Sequence, residues 1–204
     1  MTAQYKVFLF DFGNVFLNLD LNATKDELLK LGLTEFNSSM ILQNQLYEQG
    51  LVTTAEFIDF YKIYFPNASS ETLKNAWNKI LLDFPLERLE FLEEFSKKHT
   101  CMLLSNINDM HLTYIKTNLG NEFYNRFINC FDKIYYSHLI HMRKPNKEIY
   151  EHVLLENDLK ANQVFFIDDT KENIDVAKKL GFKTWHIIPL ADDVINLVQN
   201  INKQ

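Results

Sequence analysis

Glycine and proline are scarce in this 204-residue chain, with five of the first and four of the second. So few leave no room for a Gly/Ser-rich linker or a low-complexity tract, and no internal repeat is visible. Cysteine is scarcer still. Cys101 and Cys130 are too few for a disulfide framework and read as small core residues in a reducing compartment. Arginine occurs only at positions 88, 126 and 143, and the formal charge is 21 − 27 = −6. A surface of that sign repels a phosphate backbone, so nucleic acid is not expected as a partner. No apolar run reaches membrane-spanning length, and Met1 to Lys6 lacks the layout of a signal peptide. The expectation is a cytoplasmic protein without a membrane partner. What the chain does have is ordinary for a globular protein: 47% hydrophobic and 24% charged residues. The length allows one domain, or one domain carrying a sizeable insertion.

The organisation changes along the chain. Val7–Phe10 is a short apolar run of strand type, ended by Asp11-Phe12-Gly13-Asn14. From about Asn18 to Phe84 the pattern is almost wholly helical. Thr53 and Glu56 make a capping box, Phe57, Phe60, Tyr61 and Tyr64 form an aromatic face, and Ser69 or Ser70 caps a helix through Trp77, Ile80 and Leu81. Pro85 then opens a further helix. Beyond it strands alternate with helices: Cys101–Leu104, Ile134–Tyr136, Val164–Ile167 and Phe182–Ile188 are the strands, Pro145 opens one helix and Gly181 closes another. This alternation predicts an α/β fold, a Rossmann-like parallel sheet with helices on both faces. Residues 1–17 and 85–204 would form that core, and 18–84 a helical cap inserted after the first strand.

In such a sheet ligands bind beyond the carboxyl ends of the strands. The sequence places Asp11, Ser105 with Asn106, Lys144, and Asp168 with Asp169 there. Like charges gathered together call for a cation, and hard oxygen ligands suit Mg²⁺. A divalent ion beside a nucleophilic carboxylate, a hydroxyl and a lysine is a phosphoryl-transfer constellation.

Four motifs in order, Phe10-Asp11-Phe12-Gly13-Asn14-Val15, Leu104-Ser105-Asn106, Met142-Arg143-Lys144-Pro145 and Phe166-Ile167-Asp168-Asp169-Thr170 with Asn173 and Gly181, resemble those of the haloacid dehalogenase-like superfamily in its helical-cap branch. The stretch from Ile134 to Val153 is similar to bacterial α-D-glucose-1-phosphatase-like phosphatases and to the N-terminal phosphatase domain of soluble epoxide hydrolases. The resemblance implies Asp11 as a nucleophile that becomes an aspartyl-phosphate. It implies a Mg²⁺ site from Asp11, the Gly13 carbonyl and Asp169, with Asp168 assisting directly or through water. Ser105 would bond the phosphoryl group with Asn106 supporting it, and Lys144 would neutralise charge. Asn14 and Arg143 are further candidates for substrate contact. The substrate would be a small phosphorylated metabolite, plausibly a sugar phosphate, and the protein a monomer or a homodimer.

One position departs from the resemblance. Most phosphatases of that superfamily carry a second Asp two residues after the nucleophile, as general acid and base; here it is Gly13. Asn14, a metal-bound water and the substrate itself stand as the alternative acids. Two other functions compete: metal-independent haloacid dehalogenation by Asp11, and a low-turnover phosphate-binding or regulatory protein. Plainer readings stand beside individual residues too. Arg143 can be a surface ion pair, His138 and His141 loop residues, and Tyr61, Tyr64 and Trp77 core of the cap. Tyr47-Glu48-Gln49-Gly50 is a candidate loop over the site.

Overall fold

The computed structural model describes residues 5–202. Five strands, β1 (Val7–Phe10), β2 (Cys101–Ser105), β3 (Lys133–Tyr136), β4 (Val164–Asp168) and β5 (Lys183–His186), form one sheet in the order β3-β2-β1-β4-β5. Every pairing is parallel, with Phe8 opposite both Cys101 and Phe165. The strands are apolar on both faces because both faces are covered. Phe8, Phe10, Leu103, Phe165 and Ile167 point into one core, built with α5 (Leu86–Ser96) and α6 (Asp109–Ile128). Val7, Leu9, Leu104, Val164 and Phe166 point into the other, with α8 (Lys147–Glu156) and α9 (Lys171–Lys179). This is the Rossmann-like α/β architecture that the strand–helix alternation predicts. Chain order reverses direction at β1, so the crevice beyond β1 and β4 is where a ligand belongs.

Between β1 and α5 lie α1 (Ala23–Lys30), α2 (Ser38–Glu48), α3 (Thr54–Tyr64) and α4 (Ser70–Asn78). They are separate helices because caps interrupt the run: Asn37 accepts from the Met40 N–H, Thr53 and Glu56 form the capping box, and Ser69 accepts from the Thr72 N–H. Their apolar sides close a third core, with Leu28, Met40, Tyr47, Phe57, Tyr61 and Leu73 at its centre. Tyr61 is therefore interior, as the plainer reading expects. Helix α4 stops at Asn78 rather than running to Leu81, because the chain there turns extended: Leu81 bridges Leu19. The segments entering and leaving the insertion run side by side, joined by Asn18 N–H to Asp83 O (2.9 Å) and Leu82 N–H to Asn18 O (3.0 Å).

The insertion also docks on the core at its far side. The Ser137 hydroxyl donates to Glu48 O (2.6 Å), His141 Nδ1 bonds Gln49 O (2.8 Å), and Arg143 pairs with Glu48 (2.9 Å). Gly50 is required here: a Cβ on it would fall 2.1 Å from the His138 carbonyl oxygen. Segment 47–50 thus lies against the short helix α7 (Ser137–Ile140), and His138 and His141 serve the junction between insertion and core. Among the described residues no helix is long and apolar enough to cross a membrane.

Candidate active site

The strand ends bring the sequence-predicted residues together. Asp11 leaves β1 and its N–H is fixed by Ile167 O at 2.9 Å. Asp168 ends β4, and Ser105 ends β2. At the centre is Lys144, 1% exposed. Its ammonium donates to Asp11 Oδ1 (2.6 Å), Leu104 O (2.7 Å) and Asp168 Oδ2 (2.7 Å). A lysine has three N–H donors, and all three are spent on the protein. The Phe166 ring lies 5.6 Å below the ammonium. Asn106 holds the backbone of this lysine at both ends, donating to Lys144 O (2.8 Å) and accepting from Lys144 N–H (2.9 Å). Asn106 thus positions the lysine, and it also lines the cavity.

Asp168 is fully buried and equally committed. Besides Lys144 it accepts from Thr170 N–H (2.8 Å) and from Asn173 Nδ2 at both oxygens (3.0 and 3.1 Å). It stands behind the lysine and does not line the cavity. Asp169 does, together with Asp11, Gly13 and Ser105. Asn14 braces it, donating from Nδ2 to Asp169 Oδ2 at 2.8 Å while its Oδ1 accepts from Leu19 N–H at 3.0 Å. The backbone of Asn14 is left-handed, φ 53°, a conformation asparagine tolerates better than most residues. Each end of its amide thus has a partner. Arg143 lies outside the cavity in its pair with Glu48.

Two groups are left open toward the cavity. Asp11 Oδ2 and the Ser105 hydroxyl bond no described residue, and Ser105 is buried. The turn after Asp11 also leaves the N–H groups of Phe12 and Gly13 without a partner among the described residues. These donors, not Lys144, are available to a phosphoryl oxygen.

Oxygens of Asp11, Asp168 and Asp169 lie within 4.8 Å of one another. Burial pushes the Asp11 carboxyl up to about 7; Lys144 opposes the rise, and Asp168 and Asp169 add to it. Burial raises Asp169 as well, against its bonds from Asn14 and Thr170. Burial works against the Lys144 ammonium, but Asp11 and Asp168 outweigh it and hold its pKa above the ordinary value. A cluster of hard oxygens short of positive charge fits a divalent cation. Asp11, Asp169 and the adjacent Gly13 carbonyl, on the cavity, are the groups that would hold it, with Asp168, already bonded to Lys144, Thr170 and Asn173, beside them.

Stability should report this. A carboxyl whose pKa is raised from 3.8 to about 7 on folding contributes stability at low pH that is lost as pH rises through the folded value. The metal-free protein should therefore lose melting temperature through this group between acid and mildly alkaline pH. Mg²⁺ should restore it, with a larger thermal shift at the alkaline end. A shift independent of pH would remove Asp11 from the metal site.

Lys144 gives a second test. Lys144→Met leaves Asp11 and the buried Asp168 facing each other without a counter-charge, and breaking a buried pair costs about 3–5 kcal/mol. Urea unfolding should show that loss. Adding Asp168→Asn to it should cost less than the sum of the two single changes, because the two residues act as one unit.

The haloacid dehalogenase-like hydrolase family matches residues 10–187. A D-ribitol-5-phosphate phosphatase of Bacteroides thetaiotaomicron is 25% identical over 186 residues, 88% of this chain and 90% of that one. A sesquiterpene phosphatase of Aspergillus oryzae is 44% identical over 59 residues, 29% of this chain and 30% of the other. Among solved structures, a HAD-family enzyme from Bacteroides thetaiotaomicron in its magnesium complex superposes with a TM-score of 0.85 at 30% identity, covering 96% of this chain and 99% of that one. The same enzyme is also known with magnesium and inorganic phosphate.

Proposed function

The chain belongs to the haloacid dehalogenase-like hydrolase family, and we propose that it is a Mg²⁺-dependent phosphomonoesterase acting through an aspartyl-phosphate on Asp11. The observation that carries this is the division of labour on that carboxylate. Lys144 holds Oδ1 at 2.6 Å, and Oδ2 faces the cavity beside Ser105 and Asp169. Coming within reach of a phosphorus atom, Oδ2 attacks it; the P–O bond to the substrate's carbon skeleton breaks, and the alkoxide leaves to take a proton from solvent. Water then attacks the phosphorus of the acyl phosphate, releasing inorganic phosphate and restoring the carboxylate. Ser105 and the Phe12 and Gly13 N–H groups receive the phosphoryl oxygens. Lys144 favours the anionic form of Asp11 and holds it in place, and Asp168 with Asn173 keeps Lys144 in place. Mg²⁺, when bound, neutralises charge between Asp11, Asp169 and the phosphoryl group.

Magnesium and phosphate complexes of the similar Bacteroides enzyme support this reading. So does Asp169, on the cavity, whose carboxylate among the described residues bonds Asn14 and Thr170. A dehalogenase acting without metal would have no use for that carboxylate. Residues 18–84 act as a cap: they supply much of the cavity wall above the nucleophile, and substrate choice lives there. The relatives' names, a ribitol phosphate phosphatase and a sesquiterpene phosphatase, support a small phosphorylated metabolite and differ widely in its carbon skeleton. A sugar or polyol phosphate is the reading the longer of the two matches favours.

The deciding experiment is p-nitrophenyl phosphate turnover with Mg²⁺ and with excess EDTA, followed by acid quench and mass analysis of the Asp11 peptide. Turnover lost in EDTA, with a phosphate adduct on Asp11, is expected. Full turnover in EDTA would sink the proposal. Asp169→Ala should abolish the thermal shift by Mg²⁺, whereas Ser105→Ala should keep the shift and slow turnover.

A further inference from the structure

The cavity extends from Asp11 into the insertion, about 310 Å³ in all. Helix α2 contributes Asn44 and Glu48 to its wall, one turn apart, with Tyr47 between them. The Tyr47 hydroxyl is spent inside the fold, bonding Thr54 Oγ1 (2.8 Å) and accepting from Met110 N–H (3.1 Å). Its two neighbours each keep an open end. Asn44 Oδ1 accepts from the Tyr61 hydroxyl (2.7 Å), which orients the amide and leaves its N–H groups bonded to no described residue. Glu48 is held by one oxygen: Arg143 Nε donates to Oε2 at 2.9 Å, and Oε1 bonds no described residue. Arg143 lines a neighbouring pocket that shares Asn44 and Glu48 with the cavity, and it does not line the cavity itself. The oxygen that Arg143 holds is thus drawn toward that neighbouring pocket, and Oε1 is the one left for the cavity.

The chemistry of the pair selects its ligand. A hydroxyl group both donates and accepts, so it can give its hydrogen to Oε1 and take one from the Asn44 amide. An ammonium would leave the amide N–H unserved, and a second anion would meet the carboxylate. Burial raises the Glu48 carboxyl, and Arg143 works against the rise. A hydroxyl donated to Oε1 would favour the ionised form as Arg143 does. A methylene there would shut a carboxylate oxygen from water and offer no bond in return, which is costly.

Given the phosphatase reading, on which this rests, we propose that Glu48 and Asn44 are a specificity-determining pair that binds a hydroxyl on the carbon skeleton of the substrate, and that the substrate is a hydroxylated phosphate ester of the sugar or polyol class. Arg143 is a positioning residue: it orients Glu48 and does not touch the substrate.

Binding is read apart from bond cleavage with phosphonates, which are not hydrolysed. Calorimetric titration with Mg²⁺ compares n-pentylphosphonate with its polyhydroxylated counterpart of equal chain length. The hydroxylated compound should bind the parent about tenfold tighter or more, the worth of a hydrogen bond to a charged group. Glu48→Gln keeps the shape of the side chain, and its amide oxygen can still accept from Arg143. Its NH₂ then stands where Oε1 was, a donor in place of an acceptor, and the preference should fall about tenfold. Asn44→Ala removes a neutral partner and should lower the preference less, about fivefold. In both variants the affinity for n-pentylphosphonate should hold, whereas a merely structural role would weaken both compounds alike. Equal or tighter binding of n-pentylphosphonate by the parent overturns the inference, as does binding of neither compound. So does a Glu48→Gln protein that folds, by its melting temperature, and keeps the parent's ratio. Should that variant not fold, the parent's ratio and Asn44→Ala decide. Turnover of p-nitrophenyl phosphate by the parent reports separately on the phosphatase reading, and its failure would leave the binding ratio to be read as before.

Discussion

Asp11→Asn should remove turnover to background, a loss of roughly 10⁴-fold or more, while raising the melting temperature of the metal-free protein at mildly alkaline pH. The two effects have one cause. Asp11 sits where burial and the neighbouring Asp168 and Asp169 disfavour its negative charge. The fold carries that cost so that a carboxylate is ready beside the cavity. Asparagine keeps the shape and can still accept from Lys144 through its oxygen, but it is neutral and non-nucleophilic. Stability at a functional site is often exchanged for activity in this way. Lys144 retains Asp168 and Leu104 O as partners at 2.7 Å each, so the variant should fold. The Mg²⁺-induced thermal shift should also shrink, since one of two open carboxylates is gone. Residual turnover within about tenfold of the parent would show that Asp11 is not the nucleophile. A metal-free variant less stable than the parent would show that its charge is not a cost.

The sheet was legible because its strands are apolar on both faces, a pattern few other structures produce: β1 is as expected, β2, β3 and β4 are each one residue longer, and β5 begins one residue later and ends two earlier. The helix after Pro145 begins at Lys147, two residues later than expected, where Asn106 holds the Lys144 N–H and carbonyl just before the proline. The convergence of Asp11, Ser105, Lys144 and Asp169 was legible from their place after strands. The partition of roles was not. Nothing in a linear sequence says that Lys144 spends all its donors, that Asp168 stands behind it, or that Asn14 holds Asp169. Those follow from side-chain geometry across separations of up to 155 residues. Asn173 had a signal, as part of the motif around Asp168-Asp169, though its bond to both oxygens of Asp168 did not. The docking of segment 47–50 on Ser137, His138 and His141 had none.

Leu19 is the residue whose role the sequence concealed most fully, and it bears on the missing acid. A Cβ placed on Gly13 would lie 2.6 Å from Leu19 Cδ1 and 4.0 Å from Asp11 Oδ2. An apolar side chain thus fills the space a side chain at position 13 would take. The other candidates nearby do not serve. Asn14 has both amide ends occupied, and His111 is neutral with its one N–H given to Trp77 O. Neither offers a carboxyl in the place that a side chain on residue 13 would take. The rate of aspartyl-phosphate formation should then fall steeply as the leaving alcohol becomes less acidic, because the departing charge goes unrelieved. A series of aryl phosphates under single-turnover conditions measures that slope. Gly13→Asp alone is the wrong comparison, since the new side chain would strike Leu19. Gly13→Asp with Leu19→Ala makes room, and Gly13 does not have the positive φ that would forbid a side chain. That double variant should flatten the slope, with the poorest leaving groups gaining up to about 10²–10⁴-fold and the best gaining little. Leu19→Ala alone should leave the slope unchanged, because it opens space without supplying a proton. A flat dependence in the parent protein, with phosphoryl transfer limiting, would mean that a group on this cavity already donates. A slope that stays steep in the double variant would mean that the new carboxyl does not reach the leaving oxygen, and that Leu19 does more than occupy the acid's place.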